Sequence, residues 1–282
     1  MRSKLIVLGL VIAGLAFPAG LVHALRIAPP PGPVRIVNSD AVFVGRVDEF
    51  EPVDVDAKQF PGAKETVKFR IATVKVTEVI RGLKDEKTIR VGFVPFVAPK
   101  PGVPITGRGR GPELTVGQEG LFMISKHADG KFYLVPDFGY FVSSKDKAFD
   151  AEVKTAKKVV KIMADSTSAL KSKDEDERLM AASILVSKYR TPKGQFPFKE
   201  EPIDAEESKL ILGVIASSKW TVARFGDPNP QQLFFQLGIT AKDGWMPPKK
   251  ITSPDDMRNA VQAWIRDHGE YRIKRYVSSS DR

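Results

Sequence analysis

Cysteine is absent from this 282-residue chain. That excludes disulfides, thiolate metal sites, cysteine nucleophiles and lipid attachment at a cleavage-point cysteine. Histidine is nearly absent too, with three in all. His23 lies in the N-terminal apolar segment, which leaves His127 and His268, far apart in sequence. A zinc site would need both of them plus carboxylates from different halves, so no metal is expected. A Ser-His-Asp site lacks a nucleophile elbow, and neither a phosphate-binding P-loop nor a G-x-G-x-x-G turn is present. No cofactor and no catalytic residues are therefore assigned. Long apolar runs are missing after residue 24, so no later segment reads as a membrane span.

The apolar run that does exist is N-terminal. Arg2 and Lys4 precede Leu5 to Ala16; Pro18 and Gly20 break the run, and Val22-His23-Ala24 has the small-residue form of a signal-peptidase site. The reading is a signal peptide, residues 1–24, cleaved after Ala24, and a secreted or periplasmic protein. An uncleaved N-terminal membrane anchor is the alternative, and only that would bring the protein to a membrane. Residues 25–37, with Ala28-Pro29-Pro30-Pro31-Gly32-Pro33, read as a stiff proline-rich spacer.

Two patterns divide the rest. Residues 38–144 are strand-like. Ala41 to Phe50 alternates around Gly45, and Gly120 to Ser125 and Phe132 to Val135 flank an Asp129-Gly130 hairpin signal. In Lys64 to Gly82 the apolar set changes parity after Ala72, which predicts a long strand that bends or bulges near Ile71 to Thr73. Pro95 to Pro112 carries Pro95, Pro99, Pro101, Pro104 and Pro112, with Gly107, Gly109 and Gly111, and reads as one surface loop. Residues 145–282 have helical spacing. Helix starts are expected at Ser172 with Glu175, Asp204 with Glu207, and Ser253 with Asp256. The stripes through Leu179 to Val186 and Leu210 to Ile215 could pair as a HEAT-like unit. The expected fold class is thus α+β multidomain: an N-terminal OB-like antiparallel β-barrel, residues 38–144, and an α-helical domain, residues 145–282.

Within the strand half, Ser39-Asp40-Ala41-Val42-Phe43-Val44-Gly45-Arg46-Val47, then Val74 to Gly82 ending in V-I-R-G, then Leu114-Thr115-Val116-Gly117-Gln118 occur in an order that resembles the netrin-like module. This is the OB-fold domain of the tissue inhibitors of metalloproteinases and their bacterial relatives. The resemblance spans about Asn38 to Val142. It implies an OB fold and contacts with protein or matrix. The inhibitory mechanism of that family needs an N-terminal cysteine, which this chain does not have, so the activity does not transfer.

Binding candidates follow from charge and loops. The net charge is +10, with the excess spread over both halves. Arg108 and Arg110, each between glycines, suit carboxylate, sulfate or phosphate groups. Trp245 in Asp243-Gly244-Trp245-Met246-Pro247 is the tryptophan expected at the surface, whereas Trp264 reads as core. The acid run Asp174 to Glu177 reads as helix-dipole complement. The expected role is a non-enzymatic interaction module of the periplasm or cell envelope, its partner a protein or an anionic envelope polymer; nucleic acid is not expected. The alternatives are an enzyme with a carboxylate/arginine site invisible as a motif, or a binder of acidic polysaccharide or nucleic acid.

Overall fold

The computed structural model describes residues 30–95, 113–129, 131–136, 139–192, 197–220 and 228–278. The signal-peptide reading and its cleavage point lie outside these residues. So do Arg108 and Arg110, with most of the proline-rich loop. Among the described residues, no helix is long and apolar enough to cross a membrane.

The fold is α+β. Strands β1 (Ala41–Phe50), β2 (Val55–Lys58), β3 (Thr66–Arg81), β4 (Thr88–Phe93), β5 (Glu119–Lys126), β6 (Tyr133–Leu134) and β7 (Phe141–Ser143) make one large mixed sheet. β1 pairs antiparallel with β3 on one side and with β5 on the other. β3 also pairs with β2 and β4. β4 meets β6 in parallel through Val91↔Tyr133 and Gly92↔Leu134, and β6 meets β5 through Ser125↔Leu134 and Lys126↔Tyr133. The antiparallel barrel expected from the sequence is corrected to a mixed sheet, because β4 and β6 run parallel. The β4-to-β5 link is only as long as β6, because the turn around Asp129 and then Pro136 leave few residues between them to form a ladder.

The parity switch in β3 accompanies a change of covered face, and on the β1 side a register shift falls beside the expected place, Val47↔Val74 being followed by Glu49↔Thr73. Against β4 the register is unbroken from Arg70↔Phe93 to Lys75↔Thr88. Phe69 and Ile71 are buried with Ala57 and Phe132 on one face, and Ala72 and Val74 are buried with Phe43, Val91 and Phe122 on the other. The strand keeps its pleat, while the side of it that is covered changes. Register shifts do occur, but across the β1 ladder, one of them between Val47 and Glu49.

β1 and β5 are buried on both faces. Ala41, Phe43, Phe122 and Ile124 enter the inner core, where the Phe43 and Phe122 rings stack with centroids 5.0 Å apart and Phe141 lies 4.7 Å from Phe122. Val42, Leu121 and Met123 point the other way, into a second core shared with helices. That double burial is why Gly120 to Ser125 reads as an unbroken apolar run.

The second core draws on both halves. Its first element lies inside the presumed spacer: α1 (Gly32–Asn38) places Pro33 in its first turn, where a missing N–H is harmless, and buries Ile36 and Val37. Arg81, of the V-I-R-G turn, donates to the carbonyls of Ile36, Val37 and Ser39 at the end of that helix. Helix α2 (Phe149–Ala164) inserts Ala156, Val159 and Ile162. Beyond it come α3 (Ser166–Leu170), α4 (Glu175–Arg190), α5 (Ala205–Ser217), α6 (Pro230–Gln236) and α7 (Pro254–Asp267). A two-stranded sheet, β8 (Phe198–Pro202) with β9 (Lys274–Ser278), closes the end.

The helix starts fall near their expected places. Asp204 caps α5 by accepting from Glu207 N–H, and Asp256 accepts from Ser253 N–H at α7. The third is displaced: Asp174, not Ser172, caps α4, accepting from Asp176 and Glu177 N–H. The Ser172 hydroxyl bonds the Glu177 carboxylate instead.

Candidate functional site

Most residues that could carry chemistry are structural. His127 is buried, with its Nε2 2.9 Å from the Lys58 carbonyl, its Nδ1 accepting from Asp129 N–H, and its ring stacked 4.4 Å from Phe132. His268 lies against Trp264 at 4.8 Å, and its Nδ1–H donates to the Trp264 carbonyl. The two imidazoles thus stand on different elements, each occupied locally. Among the described residues, no three His, Cys, Asp or Glu side chains gather as a metal site would need.

Trp245 is not at the surface. It is 7% exposed and meets Phe234 edge-on at 4.7 Å, with Trp264 also against Phe234. The expectation of exposure fails because the Asp243-Gly244 turn, with Gly244 at φ 78°, swings the indole inward over α6. Met246, its neighbour, takes the exposed place.

Buried charge is paired. Arg35 Nη2 lies 2.7 Å from Glu152 Oε1, joining α1 to α2, and Arg35 Nη1 donates to the Gly139 carbonyl. Its Nε has no partner, nor does Glu152 Oε2. Tyr189 donates to Glu207 at 2.6 Å, and burial first, then that carboxylate, pushes its phenol well above the ordinary range. Burial, with Asp243 nearby, likewise pushes Tyr271 up to about 12.

One concave surface among the described residues is a cleft of about 320 Å³ between the C-terminal half of α4, helix α6 and the proline entry to α1. α4 contributes Ser183, Ser187 and Arg190, with Thr191 just beyond it; α6 contributes Gln232, Leu233 and Gln236; Pro30, Pro31 and Pro33 form the opposite wall. Two pairs at i, i+4 therefore face it, Ser183 with Ser187 and Gln232 with Gln236, because helix geometry returns such pairs to one face. A shallower hollow adjoins it, lined by Gln231 and Phe235, and Phe235 is 51% exposed.

The one charged side chain in the cleft lining, Arg190, is already occupied. It donates to the carbonyls of Gln236 and Lys274, pairs with Glu200 at 2.8 Å, bonds the Tyr276 hydroxyl and stacks 4.2 Å over that ring. The hydroxyls of Ser183, Ser187 and Thr191 and the amides of Gln232 and Gln236 make no hydrogen bond among the described residues. The cleft thus offers neutral donors and acceptors on and just beyond two helices, unclaimed among the described residues. Sequence reasoning missed it. The Gln231-Gln232…Gln236 spacing was visible, but a polar face at helical period is ordinarily solvated. No protein-family model matches this chain, and no curated protein matches it.

Proposed function

We propose that this protein is an exported, non-enzymatic interaction module of the periplasm or cell envelope, and that the cleft between α4 and α6 is its ligand-facing site. One observation carries the reading: the cleft is largely apolar, walled by Pro30, Pro31, Pro33 and Leu233, and carries a few polar side chains, among them Ser183, Gln232 and Gln236, that make no side-chain hydrogen bond among the described residues. Pockets that bind small ligands or polymer segments have this form and begin near this size. Export rests on the basic start, apolar run and small-residue site of residues 1–24. The partner is a protein or an envelope polymer, and the net charge, +10 for the whole chain and +8 once Arg2 and Lys4 leave with residues 1–24, favours attraction to anionic envelope surfaces.

The proposal includes a fold for the strand half, an OB-type barrel of the netrin-like kind. Support comes from the pairing path β1–β3–β4–β6–β5, which returns to β1, and from its narrow β6 link, in keeping with a five-stranded, partly open barrel. Gly82 and Gly117, the glycines of the two quoted turns, both have positive φ, at 80° and 82°. At Gly82 a side chain would also strike the Asp40 carbonyl. A HEAT-like arrangement of α4 and α5 has weaker support, since α4 also packs on α1, α2, α3 and α6.

The test is co-sedimentation of the mature protein with isolated cell-envelope material. Saturable pelleting, with the envelope polymer recovered chemically unchanged, is expected. Failure to pellet, or release of cleaved polymer, overturns the reading.

A further inference from the structure

We infer that the loop of residues 246–251, Met246-Pro247-Pro248-Lys249-Lys250-Ile251, seats this protein on an anionic lipid surface. The loop lies between the Asp243-Gly244 turn and helix α7, so the inference does not rest on the reading of the cleft. The sequence tied membrane contact to an uncleaved N-terminal segment; contact through this loop needs none.

The first observation is the pairing of apolar tips with cations. Met246 is 73% exposed and Ile251 55%. Among the described residues, no other six-residue stretch exposes two large apolar side chains. A lone exposed apolar residue is ordinary on any surface. Two that share a short loop with cations have the composition of an interfacial anchor. Lys249 and Lys250 stand between them and Lys242 just before, all three exposed and without an ion pair among the described residues. The neighbouring acids are engaged elsewhere. Asp243 pairs with Lys274 at 3.1 Å, Asp255 with Arg258 at 3.3 Å, and Asp256 accepts from the Thr252 and Ser253 N–H groups. The positive charge of the loop is therefore not cancelled locally.

The second observation is the backbone. Pro247 and Pro248 have no N–H, so carrying this stretch into a layer poor in water strands fewer donors. Both ends are held. Trp245 donates its N–H to the Thr240 carbonyl at 3.1 Å and packs its indole on Phe234. Asp256 accepts from the Thr252 N–H and hydroxyl, each at 2.7 Å. A loop fixed at both ends and stiffened by two prolines loses little freedom on docking.

These features select a lipid surface over a protein partner. A stable protein interface needs roughly 800 Å² per side, with an apolar core in which lysine is depleted. Here the space between the two apolar tips is filled by proline and lysine. A bilayer makes no such demand. It takes isolated apolar side chains beneath its headgroups while lysine ammoniums stay at the phosphates. Anionic lipids attract those lysines, and uncharged lipids give them nothing to neutralise.

The experiment is sedimentation of the mature protein, which retains every described element, with vesicles of phosphatidylcholine and phosphatidylglycerol. Vesicles of phosphatidylcholine alone, soluble polyglutamate and isolated envelope membranes serve as comparators. The mixed vesicles should bind saturably and the uncharged ones should not, with binding weakened by salt. Lys249→Ala/Lys250→Ala should weaken it about tenfold or more and flatten the salt dependence. Met246→Ser/Ile251→Ser should weaken it about tenfold and leave the salt dependence in place. All four side chains are exposed, so both variants should keep the parent's melting temperature. Gln232→Ala/Gln236→Ala, altered in the cleft alone, should bind vesicles as the parent does; a loss there would move the contact to the cleft and overturn the inference. It falls too if the mixed vesicles do not bind or if either loop variant binds as the parent does. Polyglutamate binding as tight as the vesicles' would make the loop a general polyanion site, and binding confined to protein-bearing envelope membranes would make the partner a protein. Either result overturns the inference.

Discussion

The two faces of the main sheet are built on opposite plans. On the inner face, Phe43, Val74, Val91, Phe122 and Ile124 cover one another, with Leu83, Leu114 and Val135 from the connections between strands, and all of that cover comes from the strand half. On the outer face, Val42, Leu121 and Met123 depend on residues far away in the chain, among them Ile36 of α1 and Val159 and Ile162 of α2. The same strands, β1 and β5, serve both. The sheet is therefore self-sufficient on one side only, and the 144/145 boundary seen in the sequence marks a change of secondary structure that the core runs straight across.

The strongest way to break this comparison is to separate the halves. A fragment of residues 38–144 should lack a cooperative thermal transition and should bind an apolar dye, whereas the full chain melts cooperatively. A sharp melt from the fragment would show that the inner face is enough. Next in size are single truncations on each face. Phe122→Ala should cost about 3–5 kcal/mol, and Met123→Ala about 2–5 kcal/mol, in urea unfolding of the full chain. If only Phe122→Ala destabilised, the helical cover would be ornamental.

Glu152→Ala should come third, at about 3 kcal/mol, because Arg35 would stay buried without its counter-charge. Replacing both Arg35 and Glu152 with apolar residues should recover most of that loss, as measured in the same unfolding experiment. Asp174→Ala, which removes the cap of α4, should cost about 1 kcal/mol.

The smallest effects depend on pH and separate the regions again. In the strand half, the Arg90 guanidinium holds Glu51 below the usual carboxylate range. Its contribution is present above the ordinary carboxylate value of about 4.3 and is lost as pH falls through the lowered one. The pair is partly exposed, so the change should stay below about 1 kcal/mol, and Glu51→Gln should remove it. In the helical half, Tyr271 is raised to about 12 by burial. Its contribution is present below the ordinary phenol value of about 10 and is lost as pH rises through about 12. Melting temperature against pH should show both limbs, and Tyr271→Phe should flatten the alkaline one.

What the sequence revealed depended on whether a pattern was local. The strands β1, β3 and β5 were legible because each carries its own alternation or apolar run. Asp204 and Ser253 were legible as helix starts because capping is a contact over three residues. α1 was obscured by its prolines, although Pro33 stands where a helix tolerates one. The parity switch in β3 was visible, but a bulge and a change of covered face write the same sequence; the change of face depends on Phe132 and Ala57, from elsewhere in the chain. Trp245 was misplaced because exposure was judged from its turn-rich neighbours, while its burial depends on Phe234. The cleft was hidden for a related reason. Its lining comes from α1, α4 and α6, and no one of those segments is unusual on its own.

The sharing of β1 and β5 between two cores also sets the order in which the molecule can be completed. A chain made from its N-terminus presents β1 to β7 before α2 exists. Until Ala156, Val159 and Ile162 arrive, Val42, Leu121 and Met123 have only the short α1, with Ile36 and Val37, to cover them. The early product is then a sheet with one sticky face, the kind of intermediate that aggregates when its wait is long. Its protection is kinetic: α2 begins at Phe149, six residues after β7 ends at Ser143, so the cover is the next helix to be made.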